Sequence, residues 1–370
     1  MLVKHIFSHR IVGMVAISNR LELQTIAPPT WQFNFPSFQA TSYLKDGFST
    51  RDGIKLHTGL EITTNIECQE QINEKQILAS IIEIILNLIS LTTVASCENA
   101  EIISHIVIPA KKKTMAEFYS YPLSKDNIII GTPRKINESN LIYIWTGWDK
   151  SEHKNRVMRA LSWFRKGLSE DGNVDKFICN WVAIEVLKSI LRRMLLSRRP
   201  KEWDGVKKVF ELIGGDVDFD DVYETRCELL HGYQELNPEF LSKIANYVEP
   251  TRKALIICLF RALELPDTLA SELASYVPRR MMKHFTAKIE GTLTSLPSSL
   301  AEIMTKPPLM EVDAKISKYR LKENGEVDYD IRTTYTARLP EKTVFTANTS
   351  RMRGHGEAGI TGAIISKEFE

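Results

Sequence analysis

Apolar and polar positions change their rhythm once along this chain. In the first 148 residues, short apolar runs alternate with turn formers. Strands are predicted at Arg20–Ile26, Leu60–Cys68, Glu101–Ile108, Ile128–Ile130 and Leu141–Trp145. Pro28-Pro29, Asp52-Gly53 and residues 124–127 separate them. One long helix, about 74–95, interrupts the strands. Its polar residues Gln76, Ser80, Glu83, Asn87 and Ser90 recur at steps of four and three, so they form one stripe of an amphipathic helix that packs on a sheet. Asn73, followed three residues later by Gln76, is a suitable cap for its start.

After Trp148 the period becomes helical. Val157, Leu161, Phe164 and Leu168 mark a first helix. A second, from Asp175 to about Arg193, is apolar almost all round and belongs at the centre of a bundle. Val206, Val209, Phe210 and Ile213 define a third, stopped by Gly214-Gly215. A fourth begins near Asp218 or Asp220 and ends at His231-Gly232. Asn237 and Pro238 suit the cap and first turn of a fifth, which Pro250 should kink or split before it ends near Leu265. Beyond Pro266 the pattern predicts helices at Thr268–Tyr276 and Arg279–Ile289. A β-hairpin of Glu311–Leu321 and Glu326–Leu339 then turns at Asn324-Gly325.

The fold class is therefore α+β. A mixed α/β domain (1–148) precedes a helical bundle (149–266) and a C-terminal extension with a hairpin (267–370). A chain of 370 residues is long enough for such a division. The formal charge of +2 excludes a global cationic field, so any nucleic-acid surface must be a local patch. The five cysteines are scattered and form no C-x-x-C pair, which fits a reducing cytoplasm. His9 and Arg10 interrupt the N-terminal run, so it does not read as a secretory signal, and the amphipathic stripe of the 74–95 helix argues against a membrane span.

The chemistry concentrates at Arg226-Cys-Glu-Leu-Leu-His231-Gly232-Tyr233. Gly232 is suited to end a helix in the left-handed conformation. His231 then lies at the helix C-terminus, where the dipole favours a protonated imidazole. Arginine holds phosphate in a bidentate manner and histidine moves protons near neutral pH. Five helical positions turn a side chain by roughly 140°. Arg226 and His231 can therefore converge only if the helix end distorts or if two copies of the site meet, which predicts a two-fold dimer. Glu185, an acid within the most apolar helix, needs a partner, and Arg226 is the candidate.

The order of these features resembles the higher eukaryotes and prokaryotes nucleotide-binding (HEPN) superfamily, in its ApeA-like and MauJ-like branch. The carrying residues are Arg159-Ala-Leu-Ser-Trp-Phe-Arg-Lys-Gly-Leu168, Asp175-Lys-Phe-Ile-Cys-Asn-Trp-Val-Ala-Ile-Glu185 and Arg226-x4-His231-Gly232. The resemblance covers roughly 151–265. It implies a HEPN-like bundle and a metal-independent endoribonuclease of a defence or toxin system, with no cofactor. Arg226 would stabilise the charged phosphorane, His231 would act as acid or base, and the 2′-hydroxyl of RNA would attack. Cys227 stands where the family is usually polar. Tyr233 completes a form in which a partner enzyme modifies the tyrosine, so RNA, an antitoxin or trigger protein and a second copy of the chain are the implied partners.

Other clusters have more than one reading. Arg192-Arg193, Arg198-Arg199-Lys201 and Arg279-Arg280-Lys283 can track a phosphate backbone or sit as solvated helix ends; the first four arginines are the RNA-binding candidates. Asp216, Asp218, Asp220, Asp221 and Glu224 suit a helix start better than a metal, and no metal is expected. Gly354-His355-Gly356 does not lie between a strand and a helix start, as a phosphate loop would. Trp163 and Trp181 are expected in the core. A non-catalytic HEPN module that binds RNA, nucleotide or protein is the alternative function, and a structural oligomerisation bundle is a third.

Overall fold

The structure, a computed structural model, describes residues 2–25, 38–51, 54–70, 73–108, 117–120, 133–195, 200–214, 217–279, 285–294, 309–321, 327–338 and 344–354. It is mixed α and β, with eight helices among the described residues. Two units separate. One takes in 1–48, 57–128 and 133–280; the other takes in 49–56, 129–132 and 281–370.

The strands of the first part are β1 (Leu2–Gly13), β2 (Val15–Ala16), β3 (Leu21–Thr25), β4 (Gln39–Arg51), β5 (Ile54–Gln69), β6 (Cys97–Ile108), β7 (Glu117–Ser120) and β8 (Arg134–Lys135). Six of them form a sheet in the order β3-β4-β5-β1-β6-β7. β1 lies antiparallel between β5 and β6, with His5 opposite Ile66 and Phe7 opposite both Thr64 and His105. Strand alternation decides which side chains are covered. Val3, His5, Phe7, His9 and Ile11 of β1 share one buried face with Leu60, Ile62 and Ile66 of β5.

Helix α1 (Glu74–Thr93) packs on β6. Asn73 caps it by accepting from the Gln76 N–H at 3.3 Å. By length and composition α1 could cross a membrane, but 78% of its apolar window is buried inside the protein. Its polar stripe has a more specific use than surface amphipathicity. Glu83 accepts from Arg165 Nη2 at 2.6 Å and from Ser162 Oγ at 3.1 Å, and Asn87 Nδ2 donates to Ser162 Oγ at 3.1 Å. Those partners lie on α3 (Lys154–Ser169), so α1 joins the sheet on one side and the helices on the other.

The remaining helices are α2 (Glu138–Lys150), α4 (Asn173–Arg193), α5 (Asp204–Ile213), α6 (Phe219–His231), α7 (Pro238–Ala262) and α8 (Asp267–Ser275). α4 packs against α3, α5 and α7, the central place expected of a helix apolar on most sides. Trp181, Ile184 and Leu187 of α4 and Leu255, Leu259 and Phe260 of α7 have no exposure. Burial of each such side chain contributes about 1.5–3 kcal/mol. Gly205 lets α5 approach α4 closely: a Cβ there would lie 2.7 Å from the Leu191 backbone. Asn237 caps α7 by accepting from the Phe240 N–H at 2.8 Å.

Three sequence expectations are corrected. Leu141–Trp145 is not a strand but part of α2, whose buried residues Leu141, Ile144, Trp145 and Trp148 follow a helical period. The change of pattern at 148/149 consequently falls inside a helix. α7 does not split at Pro250; it runs continuously to Ala262. The helix expected over Arg279–Ile289 is replaced from Phe285 onward by β9 (Phe285–Thr294).

In the second unit β9 pairs antiparallel with β12 (Val344–Gly354). β10 (Leu309–Leu321) pairs antiparallel with β11 (Val327–Arg338), with Leu321 opposite Val327. The turn residues Asn324-Gly325, the expected strand Ile128–Ile130 and the glycines beyond Gly354 lie outside the described residues.

Candidate functional site

The site is built where α6 meets α4. Phe219, Tyr223 and Arg226 recur on α6 at steps of four and three, so they share one face. Opposite them, Trp181 and Glu185 are one turn apart on α4. The Phe219 and Tyr223 rings each stand 6.0 Å from the Trp181 ring, and Trp203 joins the cluster at 5.5 Å from Trp181. This aromatic packing sets the register of the two helices, and one turn further along the register brings two charges together.

Arg226 Nη2 donates to Glu185 Oε1 at 2.6 Å. The same carboxylate oxygen accepts from Trp181 Nε1 at 3.2 Å. Glu185 is thus fixed from two directions, and it fixes the guanidinium in turn. The pairing expected for this acid is present. The side chains of Arg226 and Glu185 keep 18% and 27% exposure, so the pair borders solvent rather than lying in the core. Among the described residues Arg226 Nη1 bonds only a sulfur, Cys227 Sγ at 3.9 Å. That nitrogen retains donor capacity for an anion.

α6 remains regular through His231, and Gly232 ends it at φ 66°. The Tyr233 N–H then reaches back to the Glu228 carbonyl at 3.0 Å, closing the terminus as a left-handed glycine allows. His231 and Tyr233 are both exposed, with ring centroids 5.4 Å apart. Because the helix end is not distorted, the angular separation of Arg226 from His231 stands. Among the described residues no hydrogen bond or ion pair joins them. Leu230, Tyr233, Leu236 and Leu241 leave large apolar surfaces exposed around this end of α6. Lys243 Nζ donates to Glu228 Oε2 at 3.3 Å, holding the start of α7 to α6.

Arg192 and Arg193 occupy the exposed last turn of α4. Arg192 follows Glu185 by seven positions, which is two turns along the same face. Arg198 and Arg199 lie outside the described residues. The acidic start of α6 is engaged by a cation of the protein itself: Asp220 accepts from Lys207 Nζ at 2.6 Å. Among the described residues no group of three or more His, Cys, Asp or Glu is arranged to hold a metal ion.

Two features were missed in the sequence. Trp181 is fully buried as expected, but Trp163 is only half-buried, on the outer side of α3 beneath Lys166, whose Nζ lies 5.2 Å from the ring centroid. The signal was available as Arg156, Arg159, Trp163 and Lys166 at steps of three, four and three. The second is a row of histidines under the sheet, legible as His5-x-Phe7-x-His9 at strand period. His5 Nδ1 lies 3.2 Å from His105 Nε2, and the Phe7 ring stacks on His105 at 4.0 Å. Burial pushes the His9 imidazole down to about 4 and lowers His5 and His105 as well, with Glu74 opposing the effect at both. These rings are built into the core and do not open on the α4–α6 site. A cavity of about 430 Å³ lies elsewhere, lined by Leu191, Met194, Gly205, Arg261 and Leu265. Comparison of the chain with protein-family models, curated proteins and solved structures finds no match.

Proposed function

We propose that the chain is a metal-independent endoribonuclease of a prokaryotic defence or toxin system, built on a HEPN-like bundle, with β10 and β11 joined as a hairpin at Asn324-Gly325. The observation that carries this reading is the Arg226 guanidinium, held by Glu185 at 2.6 Å while its Nη1, among the described residues, bonds only a sulfur. An arginine oriented in this way is ready to receive a phosphate oxygen, and charge placed in advance needs no reorganisation in the transition state. His231 stands five residues further along the same helix, exposed to substrate. It would remove the proton of the ribose 2′-hydroxyl or protonate the 5′-oxygen that leaves. The attacking 2′-oxygen forms its bond to phosphorus as the P–O5′ bond breaks, leaving a 2′,3′-cyclic phosphate.

The angle between Arg226 and His231 has a consequence for assembly. A second copy facing the exposed apolar end of α6 would bring one chain's His231 to the other's Arg226, giving a homodimer or higher oligomer with shared clefts. Arg192, Arg193, Arg198 and Arg199 would hold the flanking phosphates. Tyr233, 77% exposed, is open to modification by an antitoxin, and a trigger protein is the other implied partner. Residence in the cytoplasm goes with this reading.

A non-catalytic module that binds RNA, nucleotide or protein is the second reading, favoured by the absence, among the described residues, of a hydrogen bond or ion pair between Arg226 and His231 within one copy. Labelled RNA incubated with the full chain in EDTA separates the two. The ribonuclease predicts cleavage to 2′,3′-cyclic ends, reduced by about 10²–10⁴-fold in His231→Ala, the usual contribution of general acid–base catalysis. The melting temperature of His231→Ala should match that of the wild type. Failure of the wild type to cut any RNA, or equal cutting by a folded His231→Ala, rules out the assignment.

A further inference from the structure

α3 contains five cations and no acidic residue. Two of the cations have carboxylate partners within the fold: Lys154 bonds Asp149 at 3.0 Å and Arg165 bonds Glu83 at 2.6 Å. The other three, Arg156, Arg159 and Lys166, are exposed and share one stripe with the half-buried Trp163. Apolar residues of the same helix, including Val157, Leu161 and Phe164, have no exposure, so the stripe is the helix's outer face. Arg156 Nη1 donates to Ser189 Oγ of α4. About one turn beyond Ser189 come the exposed Arg192 and Arg193. Among the described residues none of these five cations makes a direct ion pair, although Arg192 lies near enough to Glu202 to help lower that carboxyl, after the larger effect of Lys188. Glu185, Ser189 and Arg192 follow one another on one face of α4, so the cationic surface runs up to the Arg226–Glu185 pair.

Trp163 is the unexpected member. Trp181 is enclosed by other aromatic rings, whereas the Trp163 ring is covered only in part and has a lysine ammonium against it. Uncompensated cations repel one another, and a half-exposed indole leaves a flat apolar face in water. A ligand that relieves both must supply repeated negative charge together with flat rings. A single nucleic-acid strand does so, because its phosphates are regularly spaced and its base faces are free. A duplex stacks its bases on one another, and an acidic peptide has charge without rings.

We propose that the α3–α4 face binds single-stranded RNA, with phosphates on Arg156, Arg159, Lys166 and Arg192 and one base stacked on Trp163, and leads the strand to Arg226. The choice of RNA and the destination rest on the ribonuclease reading; strand binding does not.

The test is fluorescence anisotropy with an end-labelled, unstructured RNA of about 20 nucleotides, long enough to span such a groove. The protein is the full chain carrying His231→Ala, so that turnover does not consume the probe. Arg156→Glu with Arg159→Glu should weaken binding at least tenfold. It should also reduce the slope of log affinity against log salt by about 1.4, the value for two lost phosphate contacts on a single strand. Trp163→Ala should weaken binding about tenfold at unchanged salt slope, with partial recovery in Trp163→Phe. Arg156→Glu gives up a bond to Ser189 and Trp163→Ala some half-buried packing, so small drops in melting temperature are expected, and binding is compared where every variant remains folded. Unchanged binding in both sets of variants, or equal affinity for duplex RNA or poly-glutamate, overturns the proposal. Strand binding without cleavage by the wild type removes the ribonuclease and leaves the surface standing. Cleavage unaffected when the same surface substitutions are placed in a chain that keeps His231 removes the surface and leaves the ribonuclease.

Discussion

Histidines occupy two opposite situations in the first unit. Under the sheet, His9 keeps 5% exposure and its titration is driven down to about 4, because the interior withholds the water a charged ring needs. At the end of α6, His231 is exposed, free of the core, and next to a glycine that stops the helix. The first group is ordered by rings and strands packed against it: Phe7 has no exposure and stacks on His105. The second is displayed by backbone geometry alone. The contrast teaches that histidine does not mark a reactive site by its presence. Access to solvent separates a histidine that can meet a ligand from one that fills space.

The comparison can be broken most directly by truncation. Phe7→Ala should cost about 3–5 kcal/mol in urea unfolding, as expected for a large ring removed from a packed interior. Tyr233→Ala, at a position 77% exposed, should stay within about 0.5 kcal/mol of the wild type. Similar losses at both positions would mean that the end of α6 is also part of a core.

A smaller effect sharpens the same contrast through pH. The folded state holds His9 below its ordinary value of 6.5, so the unfolded chain binds more protons in the interval between. Stability is therefore fully present above pH 6.5 and declines as pH falls toward 4. The His9 contribution to that decline is at most roughly 3 kcal/mol. His5 and His105 add to it with the same sign, since burial lowers both. Denaturant melts at stepped pH should show the decline, and His9→Gln should flatten part of it. An unchanged profile in that variant would place His9 outside the dry interior. A further small effect belongs to Gly232, where an added Cβ meets nothing within 4 Å and only the positive φ opposes a side chain. Gly232→Ala should cost about 1 kcal/mol by thermal melting, and Gly232→Asn less.

Much of the local structure was legible in the residues themselves. Asn73 and Asn237 announce helix starts because a side-chain oxygen three positions before a free N–H can accept from it. Gly232 announces a stop because few other residues tolerate that φ. The Glu185–Arg226 pair was legible for a different reason: an acid within an apolar helix is costly without a cation beside it. Other features were not legible. Leu141-Ile-Tyr-Ile-Trp145 is too short to distinguish alternation from a helical face, and the deciding residue, Trp148, lies beyond it. The residues from Phe285 to Ile289 became strand through pairing with β12, some sixty positions away.

What the sequence determined by itself, then, was where elements begin and end and which face of each is apolar. Those properties depend on hydrogen bonds and side-chain spacing within a few residues. Only the tertiary structure decided that the polar stripe of α1 meets α3, that Trp163 lies on the outside, and that, among the described residues, no hydrogen bond joins Arg226 to His231 within one chain. Each of those outcomes depends on which distant surfaces exclude water together, and no local run of residues encodes that choice.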